Sequence, residues 1–482
     1  MTRPEVASRT THPLRRQLRF LETAAMSIGV MAPTLAMSIT GAAAARVLGR
    51  GAALAFLAVG LGVGLVAYGF VRLAREFSSA GSVYALAGRA LSPRWGFVTG
   101  WALLGTYLVF PTVSVMGVTI FLQAFLQSSG LAGGVDWFPL ALIGWAAIGL
   151  LAVVGIRPTT RSLLVLELVS VLLIVFLMVA VLVRLGSGTS PVVGRGGLSA
   201  GAFSLPPGTG PDALALAATS GFLAFAGFES AASLGEEAVL PLREIPRAIW
   251  VSVVFGAFFY LACTATQSLG FGLDAAGVRR LAGSEAPLGE LATHFVGSPL
   301  ASALDLGAAL SAVAAGLGGV TVGARMLFAF ARDGLGPRRL TVVSPSTRIP
   351  GPALTAEMLV GLLLTTTFRL AGSAPLDVFF YLATPGVLSL LLMYALTNVA
   401  AVRRIVLTGS PWETLLPLAG TAVAGYVLYR NVWPLPPPPY RWLALAVLAW
   451  SAAAVLLSVT VPRLSSRLGA GTSGSGASDQ AE

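Results

Sequence analysis

Apolar runs of roughly 20 residues, long enough to cross a bilayer as helices rising 1.5 Å per residue, recur along almost the whole chain. Twelve are distinguished: residues 20–45, 52–73, 100–125, 137–154 and 162–183, a sixth that opens the stretch 219–250, then 251–270, 300–331, 354–370, 378–402, 412–432 and 442–461. Polar and Gly/Pro/Ser-rich stretches separate them, notably 186–212, a proline-punctuated basic turn at 241–247 and a proline-rich turn at 434–439. The pattern predicts an all-α integral membrane protein with 12 transmembrane helices.

Two of the runs are interrupted. The first reads Gly29-Val30-Met31-Ala32-Pro33-Thr34 at its centre. Pro33 removes a backbone donor and clashes with the preceding turn, which predicts a kink or an unwound stretch. The sixth carries Gly221, Gly227 and, beside Phe228, the acid Glu229. Irregular backbone at membrane depth is tolerated around a cavity, and an intramembrane carboxylate is costly unless it functions or finds a partner. Interrupted helices five spans apart predict a solute site between them and an inverted-repeat carrier.

Composition agrees and charge adds the orientation. The chain is 56% apolar and 11% charged, with mean hydropathy +0.83. All 31 basic residues are Arg. With alternating spans, 21 of the 31 fall on the side of the termini, nine on the other, and Arg325 lies within the eighth span. This asymmetry predicts both termini in the cytoplasm at the plasma (inner) membrane. The net charge of +11 is thereby read as topology, and nucleic acid is excluded as a partner. The single Cys263 rules out a disulfide framework, and His12 and His294 fall outside the spans, so no metal or cofactor site is expected. The N-terminal apolar run is too long for a signal peptide and is expected to act as an uncleaved first span.

Among individual residues, Glu229 can pair a substrate ammonium or carry a proton; the alternative is a brace for the broken helix through hydrogen bonds to free amides. Glu167, in the fifth span, lies near enough to the inner edge to pair with Arg161, or to take part in coupling. Tyr107 reads as a packing aromatic or a site residue. Gly307, Ser311, Ala314 and Gly318 form a small-residue stripe for close helix contact, with Ser311 as a possible cation position. Glu236 and Glu237 emerge on the side of Arg325, Arg332 and Asp333, where ion pairs could break during gating or simply set topology. No catalytic cluster and no phosphate-binding loop is present, so neither an enzyme nor an ATP-driven pump is expected.

The sixth span and its sequel, Phe222, Phe225, Gly227, Phe228, Glu229, Glu236, Glu237 and Ile245-Pro246-Arg247-Ala248-Ile249, resemble the amino acid–polyamine–organocation (APC) superfamily. Gly81, Ser82, Tyr84, Gly100 and Trp101 match its inner connection, Arg325, Arg332, Asp333, Gly334 and Pro337 its eighth-helix end, and Leu396-Thr397-Asn398 its tenth helix. The resemblance implies a LeuT-like 5+5 inverted repeat with discontinuous helices 1 and 6. Residues 20–185 and 213–404 would form the repeats, 186–212 an extracellular loop and 405–462 two C-terminal helices. Residues 1–19 and 463–482 would be cytoplasmic tails.

It further implies a secondary active transporter of amino acids or related amines, proton-coupled or exchanging. Val30, Met31, Ala32, Pro33, Thr34, Tyr107, Phe222, Phe225, Ala226, Gly227, Phe228 and Glu229 would form the substrate site. Two departures stand out. Ala32-Pro33-Thr34 replaces the glycine-rich break whose amides hold a carboxylate in amino-acid carriers, which makes an amine credible. Leu223 stands where arginine-exchanging relatives carry a tryptophan. A non-transporting sensor on the same scaffold is the alternative.

Overall fold

A computed structural model describes residues 19–77, 83–131, 133–154, 156–189, 197–234, 238–332, 334–344, 349–409 and 411–460. Its regular structure is helical: α1 (Phe20–Met31), α2 (Pro33–Leu48), α3 (Ala52–Ala74), α4 (Val83–Ala90), α5 (Pro93–Ser128), α6 (Trp137–Val154), α7 (Ile156–Gly186), α8 (Pro211–Phe225), α9 (Pro241–Phe271), α10 (Ala275–Gly283), α11 (Pro287–Phe295), α12 (Ser298–Arg332), α13 (Gly351–Leu370), α14 (Pro375–Thr408), α15 (Leu415–Val432) and α16 (Tyr440–Thr460). Short 3₁₀ turns include Phe228–Leu234 after α8 and Arg338–Thr341 before α13. Among the described residues eight helical stretches are long and apolar enough to cross a membrane, and Trp137–Val153 and Pro211–Phe225 are shorter apolar helices.

Local chemistry sets the ends. Arg19 N donates to the Glu22 carboxylate at 2.9 Å, which caps α1. Pro93, Pro211, Pro241, Pro287 and Pro375 begin their helices, where a missing N–H leaves no bond unmade. This overturns the basic turn expected at 241–247: Pro241 opens α9 and Pro246 still lies near its start, so the helix runs unbroken to Phe271. At the far end of α12, Gly334 adopts φ 88° and its N–H bonds Ala331 O at 3.1 Å, a left-handed stop that favours glycine.

The bundle is built around α5, which packs along α12 on one side and α14 on the other, while α3 lies along α9. The interrupted helices lie side by side in opposite directions: α2 packs on α8, and α1 on the 3₁₀ turn that follows it. Buried aromatics fill the centre, including Phe56, Phe70, Phe97, Phe222, Phe225, Phe228, Tyr260 and Tyr394. Val165, Leu168, Leu172, Phe176, Val179 and Val183 form an exposed apolar stripe down α7, a surface made for lipid. The chain is a multi-pass membrane protein.

Candidate solute site at two helix breaks

Both interruptions are present, and they touch. The first is a single residue: Ala32 adopts the left-handed conformation (φ 46°, ψ 60°) between α1 and α2. The second falls at Ala226 and Gly227, with Gly227 at φ 112°. A methyl on Gly227 would stand 2.9 Å from Val30 Cγ1 and 3.0 Å from Met31 N and Val30 C. Glycine is thus required here twice, by its dihedral and by close backbone approach. Ser27 Oγ ties the breaks together by donating to Phe228 O at 3.1 Å.

Each break exposes amides that its helix no longer uses, and each is met by a glutamate. At the second, Glu229 turns back on its own segment and accepts from Gly227 N at 3.0 Å. Tyr394 OH donates to the same oxygen at 2.9 Å, and Tyr107 OH reaches the other at 3.3 Å. Phe228 packs edge-on against Phe70 and tilted against Tyr394. Glu229 is only 3% exposed, yet it accepts from three donors, so burial leaves it well satisfied. Of these partners, Tyr394 was not foreseen; a lone tyrosine in an apolar span carries no signal of where it points.

The first break is met from a distance. Glu167 of α7 accepts from Thr34 N at 2.9 Å, and Ser311 Oγ of α12 accepts from Leu35 N at 3.3 Å. Ala32 N bonds Gly29 O at 3.1 Å, and Pro33 has no N–H to offer. The pairing of Glu167 with Arg161 that its depth suggested lies outside the described side chains.

A cavity of about 170 Å³ adjoins the breaks. Gly29 and Val30 of α1, Leu164 and Glu167 of α7, Ser230 of the 3₁₀ turn, and Ala314, Gly318, Thr321 and Arg325 of α12 line it. The small-residue stripe of α12 therefore faces α7 and the breaks: Gly307 lies against Ser170, Ser311 holds Leu35, and Ala314 and Gly318 open onto the cavity. Of the twelve residues expected to bind substrate, Val30 lines this space. Met31, Ala32, Pro33, Thr34, Tyr107, Phe222, Phe225, Gly227, Phe228 and Glu229 are buried and Ala226 is half-buried, but they do not line it.

Among the charged gating candidates, Arg325 reaches the cavity and Arg332 lies over the Phe328 ring, 5.9 Å from its centroid. Glu236, Glu237 and Asp333 lie outside the described residues. Arg72 instead pairs with Glu76 at 2.9 Å and Glu413 at 3.4 Å, and Arg404 also reaches Glu76. A larger cavity, about 760 Å³, lies at the opposite end between α5, α11 and α12 and includes Asp305, bonded by Ser128 Oγ at 3.2 Å.

The family described as "Amino acid permease" matches residues 23–422. The chain is 26% identical over 342 residues to the low-affinity putrescine importer PlaP of Escherichia coli (strain K12), covering 70% of this chain and 72% of that protein. It is 27% identical over 395 residues to the branched-chain amino acid permease BcaP of Lactococcus lactis subsp. cremoris, covering 76% and 80%. A manganese transporter mutant from Eremococcus coleocola shares the fold at TM-score 0.56 and 12% identity, covering 97% of this chain and 98% of that one.

Proposed function

We propose, for a chain that belongs to the amino acid permease family and is a transporter rather than an enzyme, that it moves a solute headed by an ammonium group past the paired breaks by alternating access. The observation that carries this reading is the occupancy of the first break. The N-terminus of α2 is the positive end of a helix dipole and would suit a solute carboxylate. Its two available amides are held by Glu167 and Ser311. What the cavity offers a solute nearby is the Glu167 carboxylate and the carbonyl end of α1 at Gly29 and Val30, both attractive to a cation.

In this reading Glu229 braces the second break and Glu167 is the group that changes partners. An ammonium draws Glu167 from Thr34 N, or a proton neutralises it, and α2 is freed to shift against α7 and α12. The antiparallel packing of α1 and α2 against the 3₁₀ turn and α8 supports a 5+5 inverted repeat in 20–185 and 213–404, with α15 and α16 completing twelve spans. The distribution of Arg supports cytoplasmic termini and, with them, an inner position for the Arg325 end of the cavity. The putrescine importer among the relatives supports an amine. The branched-chain permease keeps an amino acid in contention as a solute whose carboxylate displaces Glu167.

The experiment is uptake of radiolabelled amines and amino acids into proteoliposomes, with and without a pH gradient, comparing wild type with Glu167→Gln. Amine uptake exceeding that of the matching amino acid, and reduced at least tenfold in the variant, is expected. Uptake of amino acids alone would sink the amine reading, and ligand binding with neither uptake nor exchange would make the protein a sensor.

A further inference from the structure

Glu357, on α13, belongs to neither break and does not line the cavity. It is 1% exposed, and neither carboxyl oxygen has a hydrogen-bond partner. It lies flat against Gly323 of α12: a methyl there would stand 2.7 Å from its Cδ and 2.9 and 3.0 Å from its two oxygens. One turn further along α13, Gly361 meets the Thr112 hydroxyl of α5, which is also buried without a partner. Glu357 and Gly361 stand four residues apart, about 6 Å along one face of α13, so two unsatisfied polar groups adjoin that face.

The elements packed against α13 are α5, α6, α12 and the 3₁₀ turn at Arg338–Thr341. Among the described residues, α6 carries no titratable side chain. On α5, Arg94 is exposed at the start and Tyr107 is bonded to Glu229. On α12, Asp305 is bonded to Ser128 near the other end, Arg325 faces the cavity and Arg332 lies over Phe328. Arg338 and Arg339 are exposed, and on α13 itself Arg369 pairs with Asp136. Among the described residues no cation is paired with Glu357, and an ionised carboxylate so placed would be buried without compensation.

Opposite faces of α12 connect this carboxyl to the cavity. Gly316, Gly319 and Gly323 lie against Ile148 of α6, Pro111 of α5 and Glu357, while Gly318, Thr321 and Arg325 face the solute space. A shift of α12 that answers cavity occupancy must therefore slide or lift Gly323 over Glu357. We infer that Glu357 is a second proton-binding site of the carrier, protonated while Gly323 covers it and releasing that proton to water when α12 moves away. The link to transport rests on the permease reading; the proton site does not.

The test is infrared spectroscopy of the full-length protein in lipid nanodiscs, titrated over pH without solute. A protonated-carboxyl band at neutral pH is expected that disappears in Glu357→Gln and moves in frequency in Glu357→Asp, which also serves should Glu357→Gln fold poorly. Gly323→Ala, which pushes the helices apart, should weaken the same band at neutral pH. Spectra identical to wild type in the Glu357 variants overturn the proposal. Since no solute is used, that result is separate from any failure of amine uptake.

Discussion

The two breaks solve one physical problem in different ways. At the second, the remedy is local: Glu229 stands two residues from the Gly227 amide it caps, and glycine supplies the positive φ without strain. At the first, the remedy is distant: Glu167 and Ser311 come from helices 133 and 276 residues away. An alanine holds the left-handed turn there, where glycine would sit more easily. A local cap forms with its helix and resists separation from it. A distant cap is made and broken as helices move, which suits Glu167 to switching and Glu229 to bracing.

Substitutions can break this comparison. The largest effect is expected for Gly227→Val, which places a branched side chain at φ 112° against the backbone of Val30 and Met31. Destabilisation of about 3 kcal/mol or more, read as a lowered thermal transition in detergent, should accompany loss of uptake. Glu229→Ala comes next, since it orphans Gly227 N and two buried tyrosine hydroxyls at about 1 kcal/mol or more each. Glu229→Gln should recover much of that stability. Unchanged thermal stability in Glu229→Ala would refute the brace.

Glu167→Gln sharpens the contrast, because it should lower amine uptake strongly yet cost only about 1 kcal/mol of stability, the amide oxygen still accepting from Thr34 N. Ser311→Ala should cost about 1 kcal/mol or less, its bond to Leu35 N being long at 3.3 Å. Last, Ala32→Gly should stabilise by up to about 1 kcal/mol by relieving the left-handed alanine. A lower transition temperature in that variant would show that the turn is held by something other than its dihedral.

Much of this was legible in the pattern of residues. The interruptions at Pro33 and Gly227 declared themselves because proline lacks a donor and glycine tolerates positive φ. Helix ends were less legible. The turn expected at 241–247 is the start of α9, since proline at the first position of a helix looks in sequence like a helix breaker. Glu357 and Asp305 also lie in apolar stretches but bear no motif, and only their packing against Gly323 and Gly289 sets them apart.

By itself the sequence determined the medium and the points of weakness: apolar runs of bilayer length, and a proline and a glycine at which a helix opens. Those are consequences of solvation and backbone sterics, which act residue by residue. The tertiary structure decided what fills the gaps. Thr34 N found Glu167, Leu35 N found Ser311, Tyr394 found Glu229 and Glu357 came to lie against Gly323, because each of these meetings depends on where a helix far along the chain comes to lie.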